Sequence, residues 1–407
     1  MSRFDIYFLL KSDDVAEYVQ EKLSFFPADA KLECKEIGDG NLNYVFRLAD
    51  TNTGRSIIVK QAGEATRISA DMKLSTDRGR IEAKILGIQA GYAPGLVPTV
   101  YLYDEVMCAM IMEDMVGHTI MRSALMNHEK FPRFAEDIST FLVNSLLLST
   151  DIVMDHKEKK ANVKSFINPD LCEISEDLVY SEPFIDYNRR NNVFPPNAEF
   201  VKKELYEDKA LHLEAAKLKF EFMNNAQALV HGDLHTGSIF INKEHTYIFD
   251  PEFAFYGPMG YDIGNVIANM FFAWCNADAT IEDQAQKADY CSWIVDTIEK
   301  IVDKFVAKFK IAYQNNATDT LAKTEGFMDW YLGTVLSDTA AVAGLESIRR
   351  MVGMANVKDI TKIPDEAKRA RAEKIVITLA KDYIMNRDSF KSGMDYRKAI
   401  EAVTAKF

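Results

Sequence analysis

Two acidic centres lie close together in the chain. One is Asp233, in His231-Gly232-Asp233-Leu234-His235-Thr236-Gly237-Ser238-Ile239. The other is the pair Asp250 and Glu252, separated only by Pro251. Phosphoryl transfer from a magnesium nucleotide needs one carboxylate at the acceptor hydroxyl and others on the metal. Two carboxylates one residue apart can share Mg2+, which prefers hard oxygen ligands and keeps water positions open for phosphate. The short apolar stretches between the two centres read as a tight hairpin, which would hold them at a fixed separation. In these roles Asp233 orients or accepts the proton of an attacking hydroxyl. His231 reads as a turn-building residue, and Asp262 as a loop-bracing or helix-start carboxylate.

Further residues could complete such a site. Gly38-Asp39-Gly40-Asn41-Leu42-Asn43 falls between two strand-like runs. Glycines there allow a tight turn and a close backbone approach to phosphate, with Asn43 as an amide donor. A plain hairpin turn explains the same letters, and a strand after the loop disfavours a Rossmann site. Lys60 ends an apolar strand. It suits the α- and β-phosphates with Glu82 as its partner, or it is a surface lysine at a strand end. Glu113-Asp114-Met115 follows a strand, where backbone groups could meet adenine. Arg349-Arg350 offers paired guanidinium groups for phosphate or polar substrate, or a solvated helix end. A zinc site on His231, Asp233 and His235 would need a further His or Cys cluster, and the other histidines form none.

The elements that must position these residues fall into two blocks. Over 30–115 the pattern predicts strands at 32–37, 44–48, 56–61, 97–103 and 108–113, with a helix over 76–89. From about 117 onward it predicts helices at 131–150, 199–226, 260–274, 285–313, 325–354 and 365–386, interrupted by strands within 229–250. The segment 155–160 is a charge run, expected as a loop or helix end. The polar stretch 186–196 is expected as a surface loop able to carry substrate contacts.

Composition narrows the field. With 407 residues the chain holds two or three domains at ~150 residues each. Hydrophobic residues make up 48% and charged residues 27%, ordinary for a globular protein. The net charge of -13 argues against nucleic acid and anionic membrane as partners. The cysteines at 34, 108, 172, 275 and 291 are odd in number and form no C-x-x-C, so they read as reduced thiols. The N-terminal apolar run is too short for a signal peptide. No apolar run reaches the ~18 residues of a membrane span. A cytoplasmic protein is expected.

The 230–264 block, His-Gly-Asp-Leu-His-Thr-Gly-Ser-Ile followed by Phe-Asp-Pro-Glu-Phe-Ala-Phe-Tyr-Gly-Pro-Met-Gly-Tyr-Asp-Ile-Gly, resembles the 5-methylthioribose kinases. These belong with aminoglycoside phosphotransferases and choline kinases in a wider group of protein-kinase-like fold. Gly-Asp-Gly-Asn-Leu-Asn, Val-Lys-Gln, Met-Glu-Asp and Pro183-Phe184-Ile185-Asp186-Tyr187-Asn188-Arg189 are similar too, so the likeness runs through about 30–355. Where the wider group has a metal-binding Asn, Ser238 stands, as in the methylthioribose kinases.

The resemblance implies an α+β, bilobal protein-kinase-like fold. Residues 1–116 would form a small β-rich N-lobe and 117–407 a large, mainly helical C-lobe. It implies Asp233 as catalytic and sugar-binding acid, and Asp250 and Glu252 as metal ligands. Gly38, Gly40, Asn43, Lys60, Glu113, Asp114, Met115, Asp250, Pro251 and Glu252 would line the ATP site, with Arg349 and Arg350 at the substrate. It implies ATP and Mg2+ as cofactors, 5-methylthioribose as substrate, a place in methionine salvage, and a homodimer. Two alternatives stand beside it. One is a same-fold kinase of an aminoglycoside, choline or another small alcohol; the other is a non-catalytic nucleotide-binding regulator.

Overall fold

The computed structural model describes residues 2–37, 43–63 and 74–407. It divides into two compact units, Met1–His118 with Tyr247–Ala254, and Thr119–Thr246 with Phe255–Phe407.

The first unit is built on a five-stranded antiparallel sheet. Its strands are β1 (Leu32–Glu36), β2 (Asn43–Asp50), β3 (Ser56–Ala62), β4 (Val100–Asp104) and β5 (Ala109–Glu113), in the order β1-β2-β3-β5-β4. Central β3 buries Ile57, Ile58 and Val59 in a row, and its neighbour β5 buries Ala109, Met110, Ile111 and Met112. A strand covered on both faces reads as a continuous hydrophobic run. One face carries a helix not foreseen from the sequence, α1 (Ser12–Lys22). Its Val15, Tyr18 and Val19 join Phe46, Leu48, Ile57, Val59 and Ile111 in one core. Those three α1 positions have the i, i+3, i+4 spacing of a helix face. Buried Gln61 ties the N-terminal segment to the sheet, accepting from the Leu10 N–H and donating to the Phe8 and Met107 carbonyls. The helix α2 (Asp77–Tyr92) packs on β3, β4 and β5, burying Ile81, Glu82, Ile85 and Leu86.

The second unit is mainly helical. Its helices include α3 (Met121–Met126), α4 (Phe134–Leu147), α5 (His156–Ser165), α6 (Pro169–Leu178), α7 (Glu182–Ile185), α8 (Ala198–Val201) and α9 (Lys209–Asn224). They continue with α10 (Gly260–Thr280), α11 (Gln284–Asn316), α12 (Phe327–Val352), α13 (Lys358–Thr361), α14 (Glu366–Met385) and α15 (Gly393–Thr404). The helix expected over 199–226 is two. Lys202–Tyr206 forms a π turn, and the Asp208 carboxylate caps α9 by accepting from the Leu211 N–H. A side chain bonded to a nearby N–H competes with helix continuation. The 155–160 charge run is the start of α5, where Asp155 accepts from Lys157 and Glu158.

Buried α10 packs against α12, and α12 against α14. The first contact is backbone to backbone at Gly264, where an added Cβ would lie 2.7 Å from both the Ala343 nitrogen and the Thr339 oxygen. Any side chain there would force the two helices apart, and α12 carries Arg349 and Arg350 near its end.

Candidate active site

In the first unit Lys60, near the end of β3, meets Glu82 on α2, its Nζ donating to Glu82 Oε1 at 2.8 Å. The same ammonium forms a close ion pair with Asp250. Glu82, Asp250 and Glu252 bring one carboxylate oxygen each within 4.8 Å of one another. Burial disfavours the Lys60 ammonium. The charges of Asp250, Glu82 and Glu252 more than offset this and hold the ammonium well above its ordinary range. Glu82 is pushed up to about 8, first by burial and then by crowding against Asp250 and Glu252, with Lys60 pulling the other way. Three hard oxygen donors so close are a donor set that fits a divalent cation. Asp250 is held at φ 68, a left-handed conformation that costs a non-glycine residue about 1–3 kcal/mol and clusters at functional sites.

A residue not foreseen holds Glu252 in place. Arg78, 2% exposed, lies with Nε 3.6 Å from Glu252 Oε2. Its NH2 donates to Asn43 Oδ1 at 3.2 Å and to the Gly63 carbonyl at 3.0 Å. Asn43 was expected to donate its amide to phosphate, but that amide donates to Glu252 at 2.9 Å. Asn43 opens β2 and is buried there, so its side chain meets Arg78 and Glu252. Gly38 and Gly40 lie outside the described residues. Glu113 ends β5 and accepts from the Thr99 N–H and the Tyr247 hydroxyl. Asp114 accepts from Arg47 and Ser56. Both acidic side chains of that segment brace the sheet, and Met115 and Pro251 are buried.

In the second unit Asp233 sits in the turn after β6 (Ala228–Val230), which pairs with β7 (Phe255–Gly257). Asp262, in the first turn of α10, accepts from the N–H groups of His231 at 2.7 Å and Gly232 at 3.0 Å. That is the loop-bracing role expected for it. Gly232 has φ 84, which glycine adopts without steric cost. Ser238 donates to the Asp233 carbonyl at 3.2 Å, so it shapes the loop from within.

The Asp233 carboxylate is 26% exposed and faces two guanidinium groups. Arg349 NH2 donates to Oδ1 at 3.1 Å, and Arg350 NH2 lies 3.5 Å from the same oxygen. The α12 residue Glu346, 1% exposed, fixes both arginines. It accepts from Arg349 Nε on one oxygen, and on the other from Arg350 Nε at 2.8 Å and Asn269 Nδ2 at 3.1 Å. Burial would raise Asp233, but His235, Arg349, Arg350 and His231 override it and hold the carboxyl well below the usual range. His235 is itself pushed down to about 4, chiefly by burial. It is therefore uncharged at neutral pH, and there the arginines carry the effect. The two guanidinium groups favour the ionised form of Asp233.

The His235 shift has a testable sign. Its folded pKa lies below the unfolded value of about 6.5. Between about 6.5 and 4 the unfolded chain binds the extra proton and the folded chain does not, so stability falls as pH drops through that window. Selective ¹³C labelling of histidine should show one ring, absent in His235→Gln, titrating near 4. A midpoint above 6 for that ring contradicts this environment.

Glu346 is a site residue beyond those expected from the sequence, although its i+3 and i+4 relation to Arg349 and Arg350 is the helical ion-pair spacing. Arg122 on α3 is another, its NH2 donating to Asn269 Oδ1 at 3.1 Å. That contact joins residues far apart in the chain and leaves no local pattern.

A model of the phosphotransferase enzyme family matches residues 33–300. A methylthioribose kinase of Geobacillus sp. (strain WCH70) is 38% identical over 377 residues, 92% of each chain. One of Bacillus cereus (strain 03BB102) is 38% identical over 379 residues, 93% of each. Among solved structures, a choline kinase from Cryptosporidium parvum Iowa II covers 97% of both chains with a TM-score of 0.50 at 12% identity. That likeness concerns the fold: a β-rich first part and a mainly helical second, the α+β protein-kinase-like arrangement. The chain belongs to the phosphotransferase enzyme family, alongside its methylthioribose kinases, and is a small-molecule kinase.

Proposed function

We propose that the chain phosphorylates the anomeric hydroxyl of 5-methylthioribose, using ATP with Mg2+ and giving the 1-phosphate. The observation that carries this choice of acceptor is the pairing of Asp233 with Arg349 and Arg350, both anchored on Glu346. An acid already compensated by two guanidinium groups leaves little negative field for a cationic acceptor such as choline or an aminoglycoside. A neutral sugar hydroxyl can hydrogen-bond to the same carboxylate. The curated relatives bear the matching name.

In this reading Asp233 orients the anomeric hydroxyl and takes its proton as the new O–P bond forms and the bond to the departing diphosphate oxygen breaks. An anomeric hydroxyl is more acidic than an ordinary alcohol, so a carboxylate with a low pKa suffices. Arg349 and Arg350 offset negative charge on the group in transfer. Lys60, steadied by Glu82, neutralises phosphate oxygens of the donor. Asp250 and Glu252 would hold Mg2+, with Arg78 and Asn43 fixing Glu252. When bound, the ion neutralises charge on the donor phosphates. The backbone of Glu113–Met115 and the Gly38–Gly40 loop are assigned to the nucleotide.

A panel of acceptors with ATP and Mg2+ tests the reading. The expected result is turnover of methylthioribose and none of choline or kanamycin, and the reverse pattern overturns it. The same reading carries a cytoplasmic homodimer in methionine salvage. In keeping with that, no helix among the described residues is long and apolar enough to cross a membrane. Sedimentation at micromolar concentration tests the dimer.

A further inference from the structure

The last turn of α12 carries the arginine pair, and it is closed from outside the helix. Arg349, Arg350, Met351 and Val352 form that turn, and the final four carbonyls of a helix have no partner within it. A left-handed glycine commonly closes them. Gly353 follows α12, but at φ -76 and ψ -179 it is not left-handed, and its N–H donates to the Arg349 carbonyl at 2.9 Å. Two asparagines close the other three. Asn356 Nδ2 donates to the Arg350 and Met351 carbonyls, each at 3.2 Å. The Asn192 N–H, from the 186–196 stretch, donates to the Val352 carbonyl at 2.9 Å.

The two asparagines are joined. Asn192 Nδ2 donates to Asn356 Oδ1 at 2.7 Å. An Asn side chain offers two donors and an acceptor, so Asn356 meets two carbonyls with its nitrogen and Asn192 with its oxygen. The chain that presents Asn192 is itself held. Asp186 and Arg189 stand at φ 31 and φ 54, a region costly for non-glycine residues that persists only where the surroundings over-determine it. Here the Asp186 carboxylate accepts from the Asn191 N–H at 3.1 Å. The Asn191 amide donates to the Glu182 carbonyl at 2.8 Å and to the Tyr206 hydroxyl at 3.0 Å. Buried Glu182 accepts from Asn188 and Arg190. Further along, buried Asn197 donates to Glu373 Oε2 on α14 at 2.9 Å, and the Arg369 guanidinium of α14 lies 3.9 Å over the Phe194 ring.

Glu346 fixes the arginine side chains through their Nε atoms. It does not hold the backbone beneath them, and helix ends fray. We infer that Asn356 and Asn192 are positioning residues that keep the last turn of α12 closed and so set the aim of Arg349 and Arg350 at Asp233. Asn356 is the clamp, and Asn192 orients its amide. Both act through the backbone of the arginine turn. The clamp rests on the acceptor reading above for the use made of the arginines. It goes further by assigning the 186–196 stretch to their alignment.

The test compares wild type with Asn356→Ala, Asn356→Asp and Asn192→Ala. Asn356→Ala should lower kcat/KM for methylthioribose about tenfold, since a group misplaced by ~1 Å can cost up to ~10²-fold. The KM for ATP should stay within about twofold, because the arginines serve the acceptor side. A kcat/KM within about twofold of wild type, or an ATP KM that rises in step with the loss, overturns the clamp. Asn356→Asp keeps the shape, removes both donors and adds negative charge at the negative end of a helix. It should lose at least as much as Asn356→Ala, and full activity in it overturns the clamp. Asn192→Ala should lose about threefold, and adding it to Asn356→Ala should cost nothing more, because the two act as one unit. In an Arg350→Met background Asn356→Ala should add less than about threefold, whereas a full tenfold there overturns the link to the arginines. Hydrogen exchange reads the turn itself: the Gly353 amide should exchange about tenfold faster in Asn356→Ala, and an unchanged rate overturns the clamp. If Asn356→Ala does not fold, Asn192→Ala, a change at an exposed hydrogen bond, decides by the same two readouts. Wild type that fails to turn over methylthioribose overturns the acceptor reading, and exchange at Gly353 then decides the clamp by itself.

Discussion

Asp233→Ala is expected to lower kcat about 10²- to 10⁴-fold, the usual consequence of losing a positioned proton acceptor, with the KM for ATP within twofold of wild type. The separation of effects follows from where the residues lie. Asp233 sits in the second unit, braced by Asp262 through the His231 and Gly232 amides. Lys60, Glu82, Asp250 and Glu252 form their cluster within the first unit. Removing the Asp233 carboxylate leaves Arg349 and Arg350 still paired with Glu346, so the fold should survive. Asp233→Asn is the sharper control, since it keeps the shape and removes only the capacity to take a proton. A fall in kcat of less than tenfold for both variants means that Asp233 does not serve the reacting hydroxyl.

Glu346→Ala is expected to cost about 3–5 kcal/mol of folding free energy, the range for removing one partner of a buried ion pair. Glu346 is fully buried and serves Arg349, Arg350 and Asn269 at once. Burial would raise its pKa, but Arg349 and Arg350 override this and keep it ionised. Without it, the two adjacent guanidinium groups face Asp233 with no second carboxylate between them among the described residues, and the Asn269 link to Arg122 loses its far end. Urea unfolding of wild type and variant gives the difference, and a loss under 1 kcal/mol contradicts the anchoring role. Glu346→Gln keeps the shape but not the charge and should fall between the two. In both variants the acceptor KM should rise, because the arginines lose their fixed aim.

The parts of this site that were legible in the sequence are those carried by contiguous chain. The loop around Asp233 and the Asp250–Glu252 pair can be read because Gly232, the loop-bracing Asp262 and the short strands between them lie within one short stretch. The long helices α10, α11, α12 and α14 were also legible, α10 from the glycine that follows a Gly257-Pro258 turn and the others as long helical stretches without an internal proline. The helix α1 was passed over because only three of its residues are buried. The break before α9 was missed because apolar periodicity does not register an Asp208 cap. Arg78 and Arg122 act through contacts between distant segments. Arg78 on its own reads as an ordinary helix-surface charge, and only the packing of α2 on the sheet buries it against Glu252. The left-handed backbone of Asp250 likewise has no signature in its residue type.

The most direct measurement is ³¹P NMR of this chain incubated with ATP, Mg2+ and 5-methylthioribose. The account predicts loss of the ATP γ-phosphate signal matched by a sugar phosphate resonance coupled to the anomeric proton, with ADP formed in equal amount. Inorganic phosphate as the sole product, or phosphate coupled to any other sugar proton, would contradict it.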